Sequence, residues 1–182
     1  MSKAAECSRH RAIRLPGPVP PEIVARMELL LAPLPTARLR LEPLTAETAR
    51  AIVAGDLSGL TTAKGWPHDD TVDGLGMAAK GGQPPGWLIT ANGAVIGDIG
   101  THGQVDEAGR VEIGYGLAAP SRGRGYGTEA VAAVTEWLLS RPGVREVRAH
   151  TLTDNAPSRR VLEKAAFTYV GLDEGEALYQ RD

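Results

Sequence analysis

The chain carries one cysteine, one phenylalanine and no large surplus of charge of either sign in 182 residues. Cys7 alone cannot close an internal disulfide, so a reducing, cytoplasmic setting is expected. A formal net charge of −2, from 20 Lys and Arg against 22 Asp and Glu, lacks the basic excess that a dedicated nucleic-acid binder uses on phosphates. No apolar run approaches the thickness of a bilayer, and the opening stretch with Lys3, Glu6, Arg9, His10 and Arg11 lacks the apolar centre of a secretion signal. Neither a membrane nor a nucleic acid is therefore expected as a partner. Internal repeats and low-complexity tracts are also missing. What is present is the composition of one globular domain: 42% hydrophobic and 23% charged residues, enough for one core and cramped for two.

Residues 1–36 are rich in proline and read as an N-terminal extension with one possible helix at 21–31, started by the Pro20-Pro21 pair. The regular pattern, and with it the domain at 37–182, starts at Ala37, where Leu39 and Leu41 alternate with Arg38, Arg40 and Glu42 as in a half-buried strand. Thr45 caps a short helix that ends near Gly55. Residues 56–85 are rich in Gly, Asp and Thr, with a short helix after Asp70. Two apolar runs, 87–91 and 94–99, are joined by Asn92-Gly93, a strong hairpin signal, and a longer turn at 103–109 leads into the strand 111–117. These three strands are expected to form an antiparallel meander. A helix beginning near Thr128 carries Ala130, Val131, Val134, Trp137 and Leu138 on one stripe, and Arg141-Pro142-Gly143 ends it. The strand 144–152 then completes a βαβ unit, Asp154 or Asn155 caps a helix holding Pro157, and short strands at 167–170 and 177–180 close the chain.

The run Arg122-Gly123-Arg124-Gly125-Tyr126-Gly127-Thr128 lies between strand and helix in that unit. Glycines there let a ligand approach the backbone, the helix N-terminus favours an anion, and two arginines add charge, so the run reads as a phosphate cradle. A nucleoside triphosphate is excluded, because Gly127 is followed by Thr128-Glu129 and not by the Lys-Ser/Thr that reaches the outer phosphates and magnesium. A dinucleotide fits poorly, since the spacing is not G-x-G-x-x-G and the next strand ends at His150-Thr151-Leu152 with no ribose-binding carboxylate before Asp154. Coenzyme A is the third candidate.

Two blocks carry a family resemblance. Arg122-x-x-Gly125-x-Gly127 resembles the acyl-CoA pyrophosphate motif of the GNAT N-acetyltransferases, and Asn155-x-x-Ser158-x-x-Val161-Leu162-Glu163-Lys164 resembles the block that follows it. The similarity runs from about Ala37 to Gln180 and is strongest to the ribosomal-protein N-acetyltransferase-like branch. It implies a mixed α/β (α+β) single domain with a mostly antiparallel central sheet splayed at the acyl-CoA site and helices on both faces. It implies acetyl transfer from acetyl-CoA to a primary amine, with Arg122 to Thr128 and Asn155 on the coenzyme and a backbone N–H near Leu117 and Ala118 on the oxyanion. The alternative is a non-catalytic acyl-CoA-binding or regulatory domain. Two positions depart from the family. Ala166 stands where glycine usually ends the helix, and Leu162 where another branch has a tyrosine that acts as general acid.

An alkyl amine of pKa ~10.4 is neutral in only about one part in 2,500 at neutral pH, a deficit of about 4.6 kcal/mol, so a base is valuable. Glu112 is the candidate, since it shares a strand face with Gly114 and Gly116, where two missing side chains leave room for a ligand arm. Ser158 resembles the residue that protonates the departing thiolate. Trp66, His68 and Asp70 in the irregular 65–82 segment, with His102, are expected to face the amine acceptor, a small molecule or a protein N-terminus; homodimerisation stays open. His68, His102 and His150 stand apart with no pair at metal-ligand spacing, so no metal is expected.

Overall fold

In a computed structural model the chain is described at residues 32–79 and 86–182. The expected 21–31 helix and the last residues of the 65–82 segment lie outside the described residues. The elements run β1 (Leu34–Pro35), β2 (Arg40–Pro43), α1 (Ala46–Val53), α2 (Asp69–Ala79), β3 (Gly86–Ala91), β4 (Ala94–His102), β5 (Arg110–Leu117), a 3-10 turn (Ala119–Ser121), α3 (Tyr126–Leu139), β6 (Glu146–Thr151), α4 (Ala156–Lys164), β7 (Thr168–Asp173) and β8 (Glu176–Arg181). Among the described residues no helix is long and apolar enough to cross a membrane.

The eight strands form one open sheet in the order β1-β2-β3-β4-β5-β6-β8-β7. Pairing is antiparallel except between β5 and β6. The sheet starts before the alternating pattern at Ala37: Leu34 and Pro35 pair with Leu41 and Arg40, and proline is tolerated there because the strand is an outer edge. Asn92 and Gly93 take φ values of 50° and 78°, the two positive angles of the tight hairpin turn that the sequence signals.

Side chains alternate across the sheet and feed two cores. Trp87, Ile89 and Ile113 point to one face with Val131 and Val134 of α3 and Leu162 of α4. Leu88 points to the other, with Ala49 and Ile52 of α1 and Leu75 of α2. Helices therefore cover both faces, and a bulge after Ile89 lets Ile96 and Ile99, three positions apart on β4, share one core while Val95 faces the other. Fully burying a side chain such as Ile89 stabilises the fold by about 1.5–3 kcal/mol.

One irregularity positions the site. The parallel strands β5 and β6 pair only at Arg110↔Glu146, Val111↔Val147 and Glu112↔Arg148, then part. From Ile113 to Leu117 the inner edge of β5 is left open inside the sheet.

Candidate active site

The open edge has backbone groups to offer. Ala118 donates its N–H to Ile96 O at 2.8 Å, on the β4 side, and alternate residues of a strand turn their amides to opposite edges. Ala118 is thus committed, and the amides of Leu117 and Tyr115 point into the gap. Of the two positions expected to serve an oxyanion, Leu117 is the one with a donor directed there. Arg122 folds back over the same edge, its Nε donating to Leu117 O at 2.8 Å.

The loop that follows is shaped by glycine. Gly123 and Gly125 have φ of 72° and 81°, and Gly125 stands as the N-cap of α3, which begins at Tyr126 and so includes Gly127 and Thr128 in its first turn. An added Cβ at Gly127 would lie 3.4 Å from Val161 and 3.6 Å from Leu117, so this glycine lets α3 pack closely against α4 and the end of β5. The carbonyl of Arg124 accepts from Arg38 Nη1 at 2.8 Å. The result is a helix N-terminus aimed at the mouth of the splay, which suits a pyrophosphate.

Across the gap, Asn155 caps α4 by accepting from the Ser158 N–H at 3.2 Å. Ser158 Oγ in turn lies 2.8 Å from the hydroxyl of Tyr115, which bridges from β5 to α4 across the splay. Burial pushes the Tyr115 phenol above its ordinary range, with the Ser158 hydrogen bond opposing. Strand alternation puts Tyr115 on the face of Ile113, and the splay is what lets its hydroxyl reach Ser158.

On the opposite face of β5, Glu112 shares a row with Gly114 and Gly116, as its strand period requires. The room over Gly114 is not empty, however. The His102 ring covers it, with Nε2 only 2.5 Å from where a Cβ would stand, whereas at Gly116 the nearest atom would be 3.8 Å away. Glu112 Oε1 lies 3.6 Å from His102 Nδ1 and 3.1 Å from His150 Nδ1, and His150 Nε2 lies 3.2 Å from Asp173 Oδ2. His102 and His150, which stand apart in sequence, are thus both brought to Glu112: β4 extends to His102, opposite Glu112, and β6 runs parallel beside it. The His102 imidazole, then the His150 imidazole, hold the Glu112 carboxyl below its ordinary range against the opposing effect of burial. Burial opposes charge on His150, and the Glu112 and Asp173 carboxylates outweigh it and raise its pKa. Among the described residues no group of three His, Cys, Asp or Glu stands where it could hold one metal ion.

The acceptor wall differs from expectation. Trp66, expected at the acceptor, is only 4% exposed and packs in the core under α1 and α2. Its indole Nε1 donates to Asp98 Oδ1 at 2.9 Å, and Thr71 Oγ1 donates to the same oxygen at 2.8 Å. His68 is half-buried with Nδ1 3.3 Å from Thr71 Oγ1 and its Nε2 buried without a partner; Asp70 lies in the first turn of α2. Asp98, which no local pattern marks, opposes Gly116 across the β4–β5 ladder.

A model of the GNAT acetyltransferase domain matches residues 38–168. An uncharacterised N-acetyltransferase of Bacillus subtilis, YjdG, is 30% identical over 148 residues, covering 74% of this chain and 88% of the relative. The crystal structure of an acetyltransferase from Agrobacterium tumefaciens superposes with a TM-score of 0.61 at 25% identity, over 84% of this chain and 95% of that one. RimL, a ribosomal L7/L12 α-N-protein acetyltransferase solved with coenzyme A, superposes with a TM-score of 0.61 at 19% identity, over 82% and 97%. Together with the open β5 edge and the glycine-capped helix beside it, these matches show that the chain belongs to the GNAT family of acetyltransferases and is an acetyl-CoA-dependent acyltransferase.

Proposed function

We propose that this enzyme moves the acetyl group of acetyl-CoA to a primary amine by direct attack, the acceptor being a protein N-terminus or a small-molecule amine. One observation carries the reading: the open edge of β5 lies between the α3 N-terminal loop and a carboxylate, Glu112, whose row of the strand is otherwise glycine. The pyrophosphate sits on the amides of residues 123–128 with Arg122 and Arg124 beside it, and the pantetheine arm enters the splay past Asn155. The thioester oxygen meets the Leu117 amide as charge develops on it. Glu112 supplies the negative charge that draws the proton from the amine, and Ser158, hydrogen-bonded to Tyr115, hands a proton to the departing thiolate. His68 and Asp98 line the far end of the acceptor trough, about 13 Å along β5 from Glu112.

Calorimetry with acetyl-CoA, together with CoA release across a panel of alkyl amines and peptide N-termini, tests this on the wild type, Glu112→Gln and Gly125→Val. Turnover on some amine, lost by at least about a hundredfold in Glu112→Gln with coenzyme affinity kept, supports it. Tight acetyl-CoA binding without turnover on any amine tells against amine acetylation, and unchanged affinity in Gly125→Val removes the loop from the coenzyme site.

A further inference from the structure

Glu112 is the carboxylate of the site, but it is not the group that faces the open trough. His102 lies between them. Its ring covers Gly114, with Nε2 2.5 Å from the position a Cβ would take, and its Nδ1 is turned back toward Glu112 Oε1 at 3.6 Å. The His102 side chain is 60% exposed and Glu112 35%, so an incoming amine meets the imidazole first. A neutral imidazole has one N–H, and the carboxylate 3.6 Å from Nδ1 favours the tautomer with the proton on that nitrogen and the lone pair on Nε2.

We propose that His102 Nε2 takes the proton from the attacking amine, with Glu112 as the positioning residue that fixes the tautomer and stabilises the imidazolium. This rests on the amine-acetylation reading above. In the step, the amine lone pair forms the C–N bond to the thioester carbon and the N–H proton moves to Nε2. Collapse of the tetrahedral intermediate breaks the C–S bond, the electron pair leaves on sulfur, and the thiolate takes a proton. The imidazolium then returns its proton to water.

Chemistry favours this order. Two imidazoles hold Glu112 below the ordinary carboxylate range, which makes it a weak acceptor for a proton at neutral pH, whereas the His102 ring stands over the trough with Nε2 free of the carboxylate. The groups facing His102 are Glu112 from β5, His150 and Arg148 from β6, and Asp173 from the end of β7 behind His150. Arg148 is paired with Glu146 on its own strand, and His150, 3.1 Å from the same Glu112 oxygen that His102 faces at 3.6 Å, divides its contacts between Glu112 and Asp173.

The test is the pH profile of kcat/KM for the amine in wild type, His102→Gln, His102→Asn and Glu112→Gln, with calorimetric acetyl-CoA affinity as the control for folding. Both His102 variants are expected to lose about a hundredfold in kcat and the acidic limb of the profile. Glu112→Gln is expected to keep that limb with a lower kcat, because the ring loses the carboxylate that positions it. A limb that vanishes in Glu112→Gln and persists in both His102 variants overturns the proposal while leaving amine acetylation intact, and a wild type with no turnover fails the underlying reading instead.

Discussion

Arg38 and Glu129 lie 91 positions apart in the chain and meet with Nε 2.7 Å from Oε2. The other oxygen of the same carboxylate accepts from the Arg38 backbone N–H at 2.8 Å and from Thr36 Oγ1 at 2.5 Å. The guanidinium continues to the Arg124 carbonyl and lies 4.8 Å over the Tyr126 ring. One side chain therefore ties the first edge of the sheet to both ends of the turn that opens α3.

That tie predicts an effect on coenzyme affinity. Arg38 is half exposed, so the pair adds about 1 kcal/mol or less to stability. The loop it steadies is the one assigned to the pyrophosphate, and a looser loop must be ordered again on binding. Arg38→Ala is expected to raise the Kd for acetyl-CoA about tenfold with kcat nearly unchanged, as seen by calorimetry and steady-state kinetics. A Kd equal to wild type would make the contact purely structural.

Asp98 should impress its titration on stability. Burial pushes its carboxyl above the ordinary value of 3.8, and the hydrogen bonds from Trp66 and Thr71 only partly oppose this. The folded chain therefore holds this proton more tightly than the unfolded one. The sign follows: the stabilisation is fully present below 3.8 and is lost as pH rises through the folded value. Asp98→Asn keeps an oxygen for both donors and removes the charge. Denaturant titrations from acid to neutral pH are expected to show the variant gaining on wild type as pH rises; a constant difference would mean that Asp98 ionises without cost.

Ala166 adopts a left-handed conformation, φ 65°, at the end of α4, where Ala166 N donates to Glu163 O at 3.1 Å and Phe167 N to Leu162 O at 3.0 Å. The turn the family builds with glycine is kept here at the cost of a Cβ in that region, about 1 kcal/mol. Ala166→Gly should recover part of it, offset by the greater freedom of glycine in the unfolded chain. A rise in Tm of a few degrees with unchanged activity is the expected result, and a fall would show that the Ala166 methyl makes contacts worth more than the strain.

Which features could be read from the sequence follows from the range of the interactions. The Asn92-Gly93 hairpin, the Thr45 and Asn155 caps and the glycine loop are decided by neighbours within a few residues, and the structure has them where the residues place them. The short β1 edge was missed because a pair of residues has no period. The convergence of His102 and His150 on Glu112 depends on the register of β5 against β4 and β6, which is set by pairing and the parting of strands rather than by local pattern. The burial of Trp66 is not legible locally, because its partner, Asp98, lies 32 positions onward on another element. Tyr115 shows the same limit: alternation gives its face, while its role depends on a gap that no short segment encodes.

Gly114 offers the most local probe of the His102 assignment. It has no positive φ to protect, so alanine fits the backbone, but the new Cβ would lie 2.5 Å from His102 Nε2 and 2.6 Å from Cε1. Those atoms are the tip of an exposed ring, and the ring can swing clear without disturbing either core. In doing so it leaves its place over β5 and its contact with Glu112. Gly114→Ala is expected to keep the circular dichroism spectrum and the acetyl-CoA affinity of wild type while kcat/KM for the amine falls at least about tenfold, as misplacement of a reacting group by about 1 Å demands. Glu112 itself is untouched by the change. Wild-type kcat/KM in this variant, with NMR showing the imidazole displaced, would mean that the proton reaches Glu112 without passing through His102.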